Sequence, residues 1–165
     1  MNGGTGVGDG DVRAAALAAI SSWAEAQTDL EVERLGEDGW FTTLSGERKR
    51  TIGMHLSVGD HTMIVESHFM RAPDENADAL YAQLLTRNQR TYLLRFCLYD
   101  SGDVMLVGVV PLAAVTTEEI DRIAGALLTT ADEAYNAALR LGFASYIERE
   151  QAWREASGMG RNPIS

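Results

Sequence analysis

Two stretches of this chain each double back on a short turn with a helical stretch between them, and that arrangement admits few folds. Thr51 to Phe69 bends at Gly59-Asp60, and Tyr92 to Val110 bends at Ser101-Gly102. Apolar residues in both blocks recur with the period of two that sends alternate side chains to opposite faces of a sheet. Between them Ala77, Leu80, Tyr81, Leu84 and Leu85 recur at helical spacing up to Asn88, after the break at Pro73-Asp74-Glu75-Asn76. Strands joined by tight turns are antiparallel, so the pattern predicts an α+β domain rather than a series of βαβ units.

The flanks extend the same reading. Val12, Ala16, Ala19, Ile20 and Trp23 form an apolar helical stripe among alanines of high helix propensity, ending near Gln27. Leu30 to Leu35 and Trp40 to Leu44 predict two short strands across the turn residues Glu37-Asp38-Gly39. Near the other end, Thr116 and Glu119 have capping-box spacing. The stripe that follows, Ile120, Ile123, Leu127, Ala131, Ala134, Tyr135, Ala138 and Leu141, predicts a helix of ~39 Å reaching a C-terminal cap at Gly142. The expected order is α-β-β-β-β-α-β-β-α, an antiparallel sheet with helices on one face. Residues 1–10, rich in glycine, are expected to be disordered. Residues 11–146 are expected to form one domain, and residues 147–165 a helical extension and loose tail.

Register decides which side chains face inward. Pairing Val58 with His61 puts Ile52, Met54, Leu56, Val58, Met63, Val65 and Phe69 on a core face, and Thr51, His55, Ser57, Thr62, Ile64, Glu66 and His68 on the wet one. Placing Tyr99 opposite Val104 assigns Tyr92, Leu94, Phe96, Leu98, Met105, Val107 and Val109 to the core. The opposite face would then carry Leu93, Arg95, Cys97, Tyr99, Val104, Leu106, Gly108 and Val110, which is too apolar for open water. Leu93, Arg95, Cys97, Val104, Leu106 and Val110 are therefore the candidate interface.

With 165 residues, the chain buries roughly 70% of its unfolded surface and needs no covalent staple. Its one cysteine, Cys97, lies in an apolar run and cannot form an internal bridge, which suits a reducing cytoplasm. The first ten residues lack the basic and apolar regions of a secretory signal, and no segment has the ~18 apolar residues of a membrane span. A net charge of −10 repels nucleic-acid phosphates and anionic lipid, and Arg48-Lys49-Arg50 is too short a basic run to reverse that field.

No constellation of residues indicates catalysis or a cofactor. His55 and His68 share a face but stand ~13 Å apart in this register, and His61 points away, so a zinc site with ~2.1 Å bonds is not expected. Glu118, Glu119 and Asp121 lie in the first turn of a helix, where the macrodipole favours them, and Asp132-Glu133 is placed on a solvent face. Cys97 lacks a neighbouring base. Gly4 to Gly8 has no strand ahead of it to aim a phosphate loop. Arg95, expected opposite Gly108, is read either as a residue that snorkels to the sheet rim or pairs with an acidic side chain, or as an interface anchor. Trp23, Trp40 and Trp153 are read as packing residues.

The element order, the run Phe69-Met70-Arg71-Ala72-Pro73 through Leu85-Thr86-Arg87-Asn88, and the segments Gly102-Asp103-Val104, Pro111-Leu112 and Val115-Thr116-x-x-Glu119 resemble the YbjN family over about residues 11 to 146. Members of that family, sometimes labelled sensory transduction regulators, resemble the type III secretion chaperones in fold. The resemblance implies helices on one sheet face, with the other left for self-association or a partner. It also implies a non-enzymatic homodimer that binds an unknown partner protein without metal or cofactor. The alternative is a small-ligand binder or enzyme with a pocket between the sheet and the long C-terminal helix.

Overall fold

A computed structural model of the protein describes residues 8–162 and 164. The first helix, α1 (Asp9–Ala26), is followed by β1 (Val32–Leu35), β2 (Gly39–Leu44), β3 (Ile52–Val58) and β4 (Thr62–Met70). Then come α2 (Ala77–Arg87), β5 (Arg95–Leu98), β6 (Val104–Pro111), a 3-10 turn at Leu112–Ala114, α3 (Thr117–Gly142) and α4 (Ala144–Ala156). The strands form one antiparallel sheet in the order β1-β2-β3-β4-β6-β5. The predicted α+β order is therefore observed, with α4 added. The expectation of disorder at residues 1–10 falls mostly outside the described residues, although α1 already includes Asp9 and Gly10.

All the helices that contribute to the core lie on one side of the sheet. Helix α3 buries Ile120, Ile123, Leu127, Ala131, Ala134 and Ala138 against Trp40, Met54, Leu56, Val65 and their neighbours. Beside it α1 buries Ala16, Ile20 and Trp23, and α2 buries Leu80 and Leu84. Fully burying one such aliphatic side chain contributes about 1.5–3 kcal/mol, so this apolar layer dominates stability. On the sheet side of α3, Ile120, Ile123 and Leu127 are all fully buried. Among the described residues no helix is long and apolar enough to cross a membrane.

The first hairpin keeps its predicted faces but not its predicted partners. Val58 pairs with Met63 and Gly59 N donates to Thr62 O, so the two-residue loop is Asp60-His61. The slip relative to Val58–His61 is two residues, a full side-chain period, and the core set from Ile52 to Phe69 is unchanged. A bulge between His68 and Met70 then lets Phe69 and Met70 both point inward.

The second hairpin differs by one residue, and the face of β6 inverts, while Leu94 and Phe96 lie in the core as expected. Tyr99 stands opposite Asp103 rather than Val104, closed by Tyr99 N donating to Asp103 O and Gly102 N donating to Tyr99 O. The result is a three-residue loop with Gly102 at φ 85°, the left-handed position such loops require. Leu98 consequently pairs with Val104 and Phe96 with Leu106. The candidate interface therefore does not exist as one surface. Val104, Leu106 and Val110 are 1%, 0% and 3% exposed, within the core on the helix side of the sheet. Arg95 and Cys97 lie on the opposite face beside Val107 and Met105. Leu93 sits at the strand entry at φ 58°, partly buried against Gly108, where an added Cβ would meet its side chain at 3.2 Å.

Three smaller expectations also change. Thr116 Oγ1 accepts from Glu119 N at 3.1 Å, but the Glu119 carboxylate turns to Tyr92 and Arg122, so only half of the capping box forms. Gly142 is the last residue of α3 and not a left-handed cap: its carbonyl accepts from Asp74 N, and a Cβ there would press on Pro73 Cβ at 2.9 Å. Asp132 is buried rather than solvent-facing, because it accepts from Arg48 N at 2.7 Å and Lys49 N at 2.9 Å and holds the β2–β3 loop against α3. Asp132→Ala leaves two sheltered N–H groups without an acceptor and is expected to cost about 2–3 kcal/mol. Chemical denaturation checks this, and an unchanged midpoint would refute it.

Candidate functional site: the uncovered sheet face

The register that buries Val104, Leu106 and Val110 turns their neighbours outward. Leu35, Gly39, Ser57, Ile64 and Val109 follow one another across β1, β2, β3, β4 and β6 in a single row. Phe41 lies in the adjacent row, its ring over Gly53, where an added Cβ would stand 3.1 Å from it. No helix covers this side. Val109 is 52% exposed, Leu35 41%, Phe41 37% and Ile64 36%. Large apolar groups aligned on an open face mark a contact surface more often than scattered exposed residues do.

Polar groups cross the same face. His55 Nδ1 stands 3.6 Å from Glu66 Oε2, and the Tyr99 hydroxyl donates to Glu66 Oε1. That bond to a carboxylate, with some desolvation, pushes the Tyr99 hydroxyl up to about 12. Cys97 is half-buried, and burial together with the nearby Glu66 charge raises its thiol, opposite to the shift an attacking thiolate needs. His68 Nε2 is 3.5 Å from Asp103 Oδ2. Among the described residues no three His, Cys, Asp or Glu side chains converge as metal ligands. Arg95 donates through Nη1 to the carbonyls of Thr91 and Leu94 and to Thr91 Oγ1, so it closes the turn into β5. Gly108 makes room for Leu93 and Leu94 instead.

A second apolar patch lies at the corner where α2 meets the edge strand β5. Leu85 and Leu98 are 61% and 51% exposed and flank Tyr81 over a small hollow lined by Leu84, Phe96 and Val104. The strand edge is capped at Phe96. Asn88 Oδ1 accepts from Phe96 N at 2.8 Å and Asn88 Nδ2 donates to Phe96 O at 3.1 Å, so one side-chain amide stands in for the next strand. Trp23 and Trp40 are buried as expected, with Trp23 Nε1 donating to Asp121 Oδ1 at 3.5 Å, whereas Trp153 on α4 is exposed.

Alternation along β6 was readable, but whether its odd or even residues face inward was not. The available signal was the glycine at the third position of Asp100-Ser101-Gly102, which fits a three-residue loop. Phe41 and Leu35 had no signal, because short strands with mixed polarity fit either face.

Comparison with known proteins places these elements in context. Residues 17–140 match the family model YbjN, described as "Putative bacterial sensory transduction regulator". An uncharacterised protein of Mycobacterium tuberculosis is 46% identical over 115 residues, which is 70% of this chain and 63% of that protein. One from Mycobacterium leprae is 41% identical over 121 residues, covering 73% and 66%. The chain thus spans less than two thirds of the length of the first of these relatives. Among solved structures, a chain in the complex of the Yersinia pestis type III secretion chaperone SycH with a fragment of YscM2 aligns at 11% identity and TM-score 0.48, covering 70% of this chain and 96% of that one. A chain of the ExsC–ExsE complex aligns at 19% identity and TM-score 0.47, covering 75% and 90%.

Two outcomes follow from this geometry. Asn88→Ala is expected to cost about 1–2 kcal/mol and to increase heat-induced aggregation, which light scattering during a melt detects; unchanged scattering would mean that the edge is protected in another way. Because the Tyr99 pKa is raised on folding, its bond to Glu66 supports the fold fully below about pH 10, the unfolded value. That support is lost as pH rises through about 12. In Glu66→Gln the last phenol ionisation seen by ultraviolet titration should move to lower pH, and an unshifted curve would disprove the pairing.

Proposed function

The chain belongs to the YbjN family, and on that footing we propose that it is a non-enzymatic polypeptide-binding protein, a chaperone-like adaptor or regulator, that works as a homodimer in the cytoplasm. The observation that carries this reading is the sheet face left bare by the helices, with Leu35, Phe41, Ile64 and Val109 aligned on it. Six strands at ~4.8 Å spacing and a central strand of ~25 Å give a face of roughly 600 Å². That approaches the ~800 Å² per partner of a standard protein interface.

The two apolar patches divide the work. A partner segment lies on the open face, its apolar side chains against Ile64 and Val109 and its polar ones reaching the His55, Glu66 and Tyr99 cluster. The second copy meets the corner of Tyr81, Leu85 and Leu98 through side chains, because Asn88 blocks strand addition at Phe96. The half-buried Cys97, with a raised thiol pKa, is compatible with a reducing compartment.

Size-exclusion chromatography with light scattering is expected to give twice the monomer mass at micromolar concentration, and a monomer there would end the dimer claim. Leu85→Glu with Leu98→Glu should produce folded monomers. With Ile64→Asp and Val109→Asp, the dimer should persist while proteins captured from lysate by the unaltered chain are lost. Recovery of the same proteins by both baits would show that the open face is not the contact surface.

A further inference from the structure

Five of the fourteen basic residues of this acidic chain gather around one groove on the helix side of the molecule. The groove runs between α2 and the outward side of α3 with a volume of about 1030 Å³. At Arg87 and Glu133 it continues into a second hollow of about 550 Å³ bounded by Arg48 and Arg140. From Arg122 to Arg140 it follows α3 for ~27 Å at ~1.5 Å per residue. Arg48, Arg87, Arg90, Arg122 and Arg140 line it against a single lining carboxylate, Glu133.

Three of these arginines have no internal task. Arg122 pairs with Glu119, and Arg48 stands 3.7 Å from Asp132. Among the described residues, the guanidinium groups of Arg87, Arg90 and Arg140 take part in no ion pair or side-chain hydrogen bond, although acidic residues outnumber basic ones 24 to 14. The floor between them is low. A Cβ on Gly125 would meet nothing within 4 Å, and Ala126, Thr129, Ala82 and Thr86 are small. Gln83 Oε1 and Asn136 Oδ1 in the groove wall are buried without a hydrogen-bond partner.

We propose that this groove docks an acidic polypeptide segment whose Asp and Glu carboxylates pair with Arg87, Arg90 and Arg140. Guanidinium forks bind carboxylates bidentately, and the low floor allows a backbone to lie close. The net charge of −10 does not oppose a short segment, because beyond a Debye length of ~8 Å at physiological salt the remaining acidic surface is screened. A long polyanion such as a nucleic acid would run past the groove onto that surface. This site lies on the side of the molecule away from the open sheet face and stands independently of that face's role.

The experiment is fluorescence anisotropy of the full chain with a labelled peptide of about four helical turns built from Glu, Ala and Leu, and with its Gln-for-Glu counterpart. The acidic peptide should bind, and more weakly as salt rises. Affinity should fall about tenfold or more in Arg87→Glu with Arg90→Glu, the loss of one ion-pair equivalent or more. Arg140→Glu alone gives the same readout if the double variant does not fold. Arg161→Glu, exposed on the C-terminal tail, and Ile64→Asp with Val109→Asp should leave binding unchanged, which separates this site from the sheet face. Equal binding of the Gln peptide, indifference to the arginine reversals, tighter binding of a single-stranded oligonucleotide of equal charge, or a change of oligomeric state in Arg87→Glu with Arg90→Glu would each overturn the proposal.

Discussion

The rest of the structure depends on the apolar stripe of α3 lying across one face of the sheet. Ile120, Ile123, Leu127, Ala131, Ala134 and Ala138 recur along one side of the helix, and alanine at three of those positions lets the helix come close to the strands. That contact settles three things together. With α1 and α2 it covers the side of the sheet that holds Val104, Leu106 and Val110, it commits the opposite sheet face to openness, and it turns the stripe from Arg122 to Arg140 outward beside α2.

Because one helix has two sides, the two surfaces it creates differ in chemistry. The sheet face gains its character from strand alternation, which places Leu35, Ile64 and Val109 in a row once their partners are inside. The groove gains its character from α3's outward residues and from arginines contributed by α2 and the β2–β3 loop. Asp132 connects the two, since the backbone of that loop is fixed by a carboxylate one residue before Glu133 on the same helix. The edge strand is tied to the same layer: Asn88, just past α2, satisfies both the N–H and the carbonyl of Phe96.

Much of this was legible in the chain. The helical stripes of α1, α2 and α3, the cap at Thr116 and the inward set of β3 and β4 all follow from local spacing. An error of two residues in the first hairpin left its faces correct. An error of one residue in the second left Leu94 and Phe96 inward but inverted β6, moving Leu106 from a supposed interface to a fully buried position and Val109 from the supposed core to half exposure. The burial of Asp132 was not readable, because its partners, the N–H groups of Arg48 and Lys49, lie far away in sequence and carry no residue-type signal.

Sequence by itself determined the elements, their order and the family, because helix and strand periods are local properties of side-chain spacing. Tertiary structure decided which side of β6 faces inward and which distant arginines share a groove. The parity of a loop is set by backbone geometry at Gly102, and the meeting of α2 with α3 is set by how both cover the same core; neither is written in the alternation of any single segment.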